Sequence, residues 1–170
     1  VTAWQELEIA LDVGVDDLAH MILTELPDSL IDRVIEAGIY WVPTLELWKS
    51  VSEDNPVNFD IIAVSNLRRF VDAGGKVALG TDYGGYTTRL GIGMPIPEIE
   101  MMQDAGMPPM QIIVAATKHA AHVCGLECEV GTLEADKLAD ILIVNGDPLT
   151  DIHALADARL ALRSGVVIRQ

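Results

Sequence analysis

Apolar residues recur along this chain first at helical and strand spacings in alternation, then in short β segments alone. Trp4, Leu7 and Leu11, with Ile9 and Ala10 between them, make a short helical face that Gly14 ends, and Val15 to His20 follows as a strand. Pro27 opens a second helix in which Leu30, Ile31, Val34 and Ile35 share a face, with Gly38 as its stop. Ile39-Tyr40-Trp41-Val42-Pro43 has the β-branched and aromatic content of a buried parallel strand. A polar loop is predicted over Lys49 to Asn55, then a helix over Phe59 to Val71 that Gly74-Gly75 closes. Lys76 to Thr81 makes a third strand, and three βα units in a row predict a parallel sheet.

Tyr83 to Pro95 is Gly-rich without apolar periodicity, so a long loop is expected above the third strand, where substrate contacts commonly lie. Helices are predicted over Pro97 to Ala105 and Pro109 to Cys124. From Gly131 the βα rhythm ends. Ala139 to Val144, a turn at Asn145-Gly146-Asp147-Pro148, Ala158 to Leu162, and Val166 to Arg169 after Ser164-Gly165 predict a small β unit.

Composition narrows the classes. Half of the 170 residues are hydrophobic, which predicts a globular chain, yet a closed β/α barrel takes roughly 250 residues. The net charge of -15, from 26 acidic and 11 basic residues without a basic stripe, argues against nucleic acid and anionic membrane as partners and for a solvated surface. Cys124 and Cys128 match neither a redox pair nor a disulfide framework, so reduced thiols and a cytoplasmic setting are the expectation. No apolar run approaches the length of a membrane span and no signal-like segment opens the chain. The first residue is Val rather than Met, which suits a fragment or a processed chain.

Two strand ends carry candidate chemistry. The first strand closes on His20, and the third leads through Gly80-Thr81 to Asp82. In a β/α barrel the carboxyl ends of the strands share one face, so these two side chains can converge there, bind a metal and orient a water. The structural alternatives are a partly buried histidine for His20 and, for Asp82, a loop cap accepting the Gly84 or Gly85 N–H. Thr44, Leu47 and Trp48 after the second strand and Tyr83 after the third can line a substrate pocket or merely pack at its mouth. Arg89, the only basic residue of its loop, can clamp a substrate carboxylate or simply be exposed. His119 and His122 fall three apart on a helix and are expected as surface or packing imidazoles, and His153 receives no role.

Four stretches in this order resemble the metal-dependent amidohydrolases, in their imidazolonepropionase-like and prolidase-like branch. They are Ala10 to His20, Gly38 to Leu45 with its Trp41-Val42-Pro43-Thr44-Leu45, Val77 to Asp82, and the passage from Ala115-Ala116-Thr117 through Cys124-Gly125-Leu126 and Gly131-Thr132-Leu133 to Lys137–Ile143. The resemblance implies the C-terminal portion of a TIM (β/α)8 barrel over residues 1–126, with part of a small appended β domain over 127–170. It implies that His20 matches the family's strand-six histidine and Asp82 its strand-eight aspartate, both metal ligands, with Asp82 also the catalytic base. The family's other ligands have no counterpart here. Ala135-Asp136 departs from the usual Pro-Gly and puts an aspartate where glycine's φ freedom is expected.

Two functions are then open. One is a hydrolase of amide, cyclic amide or dipeptide-like carbon–nitrogen bonds, acting on a small molecule with a divalent metal, zinc by ligand type. It would need the missing N-terminal barrel part or a partner chain, with low or no activity alone, and a homo-oligomer is compatible with it. The other is a non-catalytic module that kept the barrel segment for packing or assembly. Unpaired strand edges are expected in either case.

Overall fold

The computed structural model describes residues 1–53, 55–82 and 93–169. Helix α1 (Trp4–Val13) is closed at its start by Glu6, whose carboxylate accepts the Thr2 and Ala3 N–H groups at 2.7 and 3.2 Å. It ends where Gly14 turns to φ 72° and returns its N–H to Ala10 and Leu11. Strand β1 (Asp17–Ala19) and helix α2 (Asp28–Glu36) follow, and α2 buries Leu30, Ile31 and Val34. Next come strand β2 (Tyr40–Val42), helices α3 (Leu45–Glu53) and α4 (Phe59–Asp72), and strand β3 (Lys76–Val77). The three strands form one parallel sheet in the order β1-β2-β3, with Leu18 opposite Trp41 and Trp41 opposite Val77.

Two expectations need correction. Lys49 to Glu53, expected as the start of a polar loop, is helical, because α3 extends to Glu53. The polar residues there sit on a helix anchored by its buried first residue, Leu45, and by a carboxylate far along the chain. The strands are also shorter than expected, because His20 leaves extended geometry at φ 68° even though its N–H still bonds Val42 O at 2.9 Å.

Trp41 is the centre of the core. Its indole is fully buried, meets Phe70 of α4 edge-on at 5.2 Å and donates Nε1–H to His20 O at 2.7 Å. Buried Asn66 of α4 gives its amide to Ile22 O and Thr24 O, fixing the segment that follows β1. A polar group can occupy the core there because its donors are satisfied.

Helix α5 (Ile96–Asp104) packs on α3 and α4. The long predicted helix after Pro108 exists but changes register: α6 (Pro109–Val114) runs into a π-helical turn (Ala115–His119) and then α7 (Ala120–Val123). The turn meets the sheet, since Leu79 N–H bonds Ala115 O and His119 Nδ1 lies 2.8 Å from Val77 O. His119 meets Tyr40 edge-on at 5.1 Å and His122 lies tilted against it at 4.6 Å, so they pack at the opposite end of the strands from His20.

A second sheet of β4 (Ile141–Val144), β5 (Ala158–Arg163) and β6 (Val166–Arg169) is antiparallel in that order. The Asp147 carboxylate closes the turn after β4 by accepting the Leu149 N–H at 2.9 Å. A 3-10 helix (Ile152–Ala156), unpredicted, inserts Ile152 into the main core. No helix among the described residues is long and apolar enough to cross a membrane.

Candidate active site

The carboxyl ends of the three parallel strands leave the sheet in the same unusual way. His20, Thr44 and Asp82 have φ of 68°, 51° and 54°, the left-handed region that side chains other than glycine rarely adopt. For Thr44, β-branched, this is the costliest of the three, and such strain persists only where the surroundings over-determine it. Gly80, beyond the end of β3, lets the chain approach β2, because a Cβ there would stand 2.6 Å from Val42 Cγ1.

The bends turn the side chains toward one another. His20 Nδ1 lies 2.8 Å from Thr44 Oγ1, and its Nε2 lies 3.8 Å from Asp82 Oδ2. The second distance is too long for a hydrogen bond, so the tautomer that donates Nδ1–H to Thr44 leaves the Nε2 lone pair free toward Asp82. Trp48, one turn into α3, meets the imidazole edge-on at 5.7 Å. Its own Nε1 is buried without an acceptor among the described residues.

Burial holds the His20 imidazole below its ordinary pKa, against the pull of the Asp82 carboxylate, so the ring is neutral at pH 7 and available as a donor. With side chains 29% and 60% exposed, His20 and Asp82 open to solvent. Two zinc donors on one ion, each about 2.0–2.2 Å away, lie at most about 4 Å apart, a spacing that His20 Nε2 and Asp82 Oδ2 meet. Among the described residues no three His, Cys, Asp or Glu side chains gather to hold one.

His20, Asp82, Thr44 and Trp48 are thus brought together. Tyr83 and Arg89 lie outside the described residues. Cys124 and Cys128 are free and exposed. The residue that sequence reasoning missed is Glu98 of α5, fully buried, which accepts the Leu45 N–H at 2.9 Å and the Glu46 N–H at 2.6 Å. Its only sequence signal was its place, with Glu100, among the apolar residues of Ile96–Met102.

Residues 4–167 match the Amidohydrolase family. The chain belongs to that family. It is 31% identical over 164 residues to an imidazolonepropionase of Geobacillus kaustophilus, covering 95% of this chain and 36% of that protein. An imidazolonepropionase of Bdellovibrio bacteriovorus is 35% identical over 156 residues, with 89% and 33% covered. Among solved structures, a Xaa-Pro dipeptidase with methionine bound in its active site superposes with a TM-score of 0.80 at 28% identity, covering 98% of this chain and 43% of that one. The imidazolonepropionase and prolidase branch is therefore the right one, and this amidohydrolase chain spans about a third of the length of the curated relatives it matches.

Proposed function

We propose that this chain is the C-terminal portion of a β/α-barrel amidohydrolase that cleaves carbon–nitrogen bonds in amides, cyclic amides or dipeptide-like molecules. Residues 1–126 are assigned to the barrel and 127–170 to part of a small β domain. The observation that supports this best is the juxtaposition of His20 Nε2 and Asp82 Oδ2 across a gap that neither fills with a hydrogen bond. Family membership and the names of the relatives agree with it.

In this reading His20 and Asp82 hold a divalent metal, zinc by donor type. When bound, the metal supplies Lewis acidity toward the scissile carbonyl and eases ionisation of a water. Asp82, exposed enough to exchange protons, accepts the proton of the attacking water and returns it to the leaving nitrogen. Thr44 fixes the His20 tautomer, as the outer partner of a ligating imidazole does. Trp48 gives the pocket an apolar wall, and Tyr83 and Arg89 complete the substrate contacts, with Arg89 on a substrate carboxylate. The remaining ligands come from further barrel strands, in the same polypeptide or a partner.

The test is hydrolysis of Xaa-Pro and N-acyl amino acid substrates by the protein together with those strands, before and after chelation and zinc return. Asp82→Asn is expected to lower kcat by about 10²–10⁴-fold. An unchanged rate, or no metal dependence, would overturn the roles given to Asp82 and the metal, and no hydrolysis at all would favour a non-catalytic assembly module.

A further inference from the structure

Thr44 immediately precedes α3, the position where a threonine hydroxyl ordinarily accepts the N–H of the second or third helical residue. Here the hydroxyl faces the other way, to His20 Nδ1 at 2.8 Å. The first two amides of α3 are taken instead by a carboxylate from 53 residues along the chain: Glu98 Oε1 accepts the Leu45 N–H and Oε2 the Glu46 N–H, the second of which a capping hydroxyl would otherwise serve. Glu98 is the only charged side chain in the buried interior among the described residues. Burying a carboxylate is unfavourable unless its oxygens are satisfied, and here both are. Desolvation still dominates, pushing the Glu98 carboxyl up to about 7 against the two amide bonds.

We propose that Glu98 is a positioning residue for the metal site: by capping α3 from a distance it releases the Thr44 hydroxyl to fix the His20 tautomer and leave Nε2 free to ligate. The inference rests on the reading of His20 as a ligand. It explains the strained φ of Thr44, since the backbone is held by Glu98 on its far side while the side chain is held by His20 on the other. It also explains Trp48, because the helical turn that Glu98 anchors carries the indole against the imidazole.

The test compares the parent protein, Glu98→Gln and Thr44→Val by long-range ¹H–¹⁵N correlation of the metal-free His20 ring and by zinc affinity against a chelator. The parent is expected to show a single Nδ1–H tautomer. Gln keeps the shape but offers only one acceptor, so Thr44 is drawn back to cap α3, both tautomers appear and zinc affinity falls by about 10-fold or more. Thr44→Val should reproduce the ring spectrum with the Glu98 clamp intact. An unchanged His20 ring in folded Glu98→Gln overturns the proposal. If Glu98→Gln does not fold, persistence of the single tautomer in Thr44→Val overturns it and loss of that tautomer supports it. Failure of the metal reading is separable: Asp82→Asn and His20→Ala would then leave zinc affinity unchanged, while the ring of the metal-free protein still reports on Glu98.

Discussion

Among the described residues five other than glycine take positive φ, and the three at strand ends build the site while Asp136, at φ 70°, serves only a turn. There an aspartate adopts the backbone conformation that glycine prefers. Holding an L-residue there costs roughly 1–2 kcal/mol, less for aspartate, whose short polar side chain tolerates the region. Asp136→Gly is therefore expected to raise the melting temperature by about 2–4 °C, read from a thermal melt. A lower melting temperature would mean that the Asp136 side chain makes a contribution the backbone cost hides. Glycine at Thr44 would relieve the same kind of strain but remove the hydroxyl that His20 needs.

At the scale of elements, two short helices are held by groups from elsewhere in the chain. Helix α3 is capped by Glu98, and the 3-10 helix is clamped through His153, whose Nδ1 lies 2.8 Å from Asp151 and whose Nε2 lies 2.9 Å from Glu100 of α5. Hydrogen bonding to Glu100, then to Asp151, raises the His153 pKa above 6.5. A raised folded-state pKa means that the clamp's contribution is full below pH 6.5 and is lost as pH rises through the raised value. Hydrogen exchange at Asn145, whose N–H bonds Asp157 O beside this helix, should quicken beyond its intrinsic pH dependence across that window. His153→Gln should abolish the extra quickening. The same pH response in the variant would show that His153 does not hold the helix.

The whole molecule pairs a parallel sheet that buries one face, through Leu18, Trp41 and Val77, with an antiparallel sheet whose outer strand is bare. Val166, Val167 and Ile168 of β6 are all exposed, Ile168 to 66%. An apolar strand at a sheet edge is a template for pairing with another chain. This 170-residue chain is expected to self-associate at micromolar concentration in sedimentation velocity, and Ile168→Lys to shift it toward monomer. A monodisperse monomer without the substitution would show that the β6 edge does not template association.

Local chemistry was enough to locate most elements. Proline before α2 and at the start of α6, glycine after α1 and α4, and apolar periodicity between them are short-range signals, so the βα order and the later β hairpins could be read directly. His20 and Asp82 were legible for the same reason, as polar residues ending apolar strand runs. The polar α3 was not, since its cap comes from Glu98, and no window around Lys49 contains that carboxylate. Nor could spacing show that Thr44 turns from its own helix to His20, or that Ile152 joins the main core. These depend on contacts between residues 24 to 53 positions apart, which exist only after the sheet has formed and the helices have packed on it.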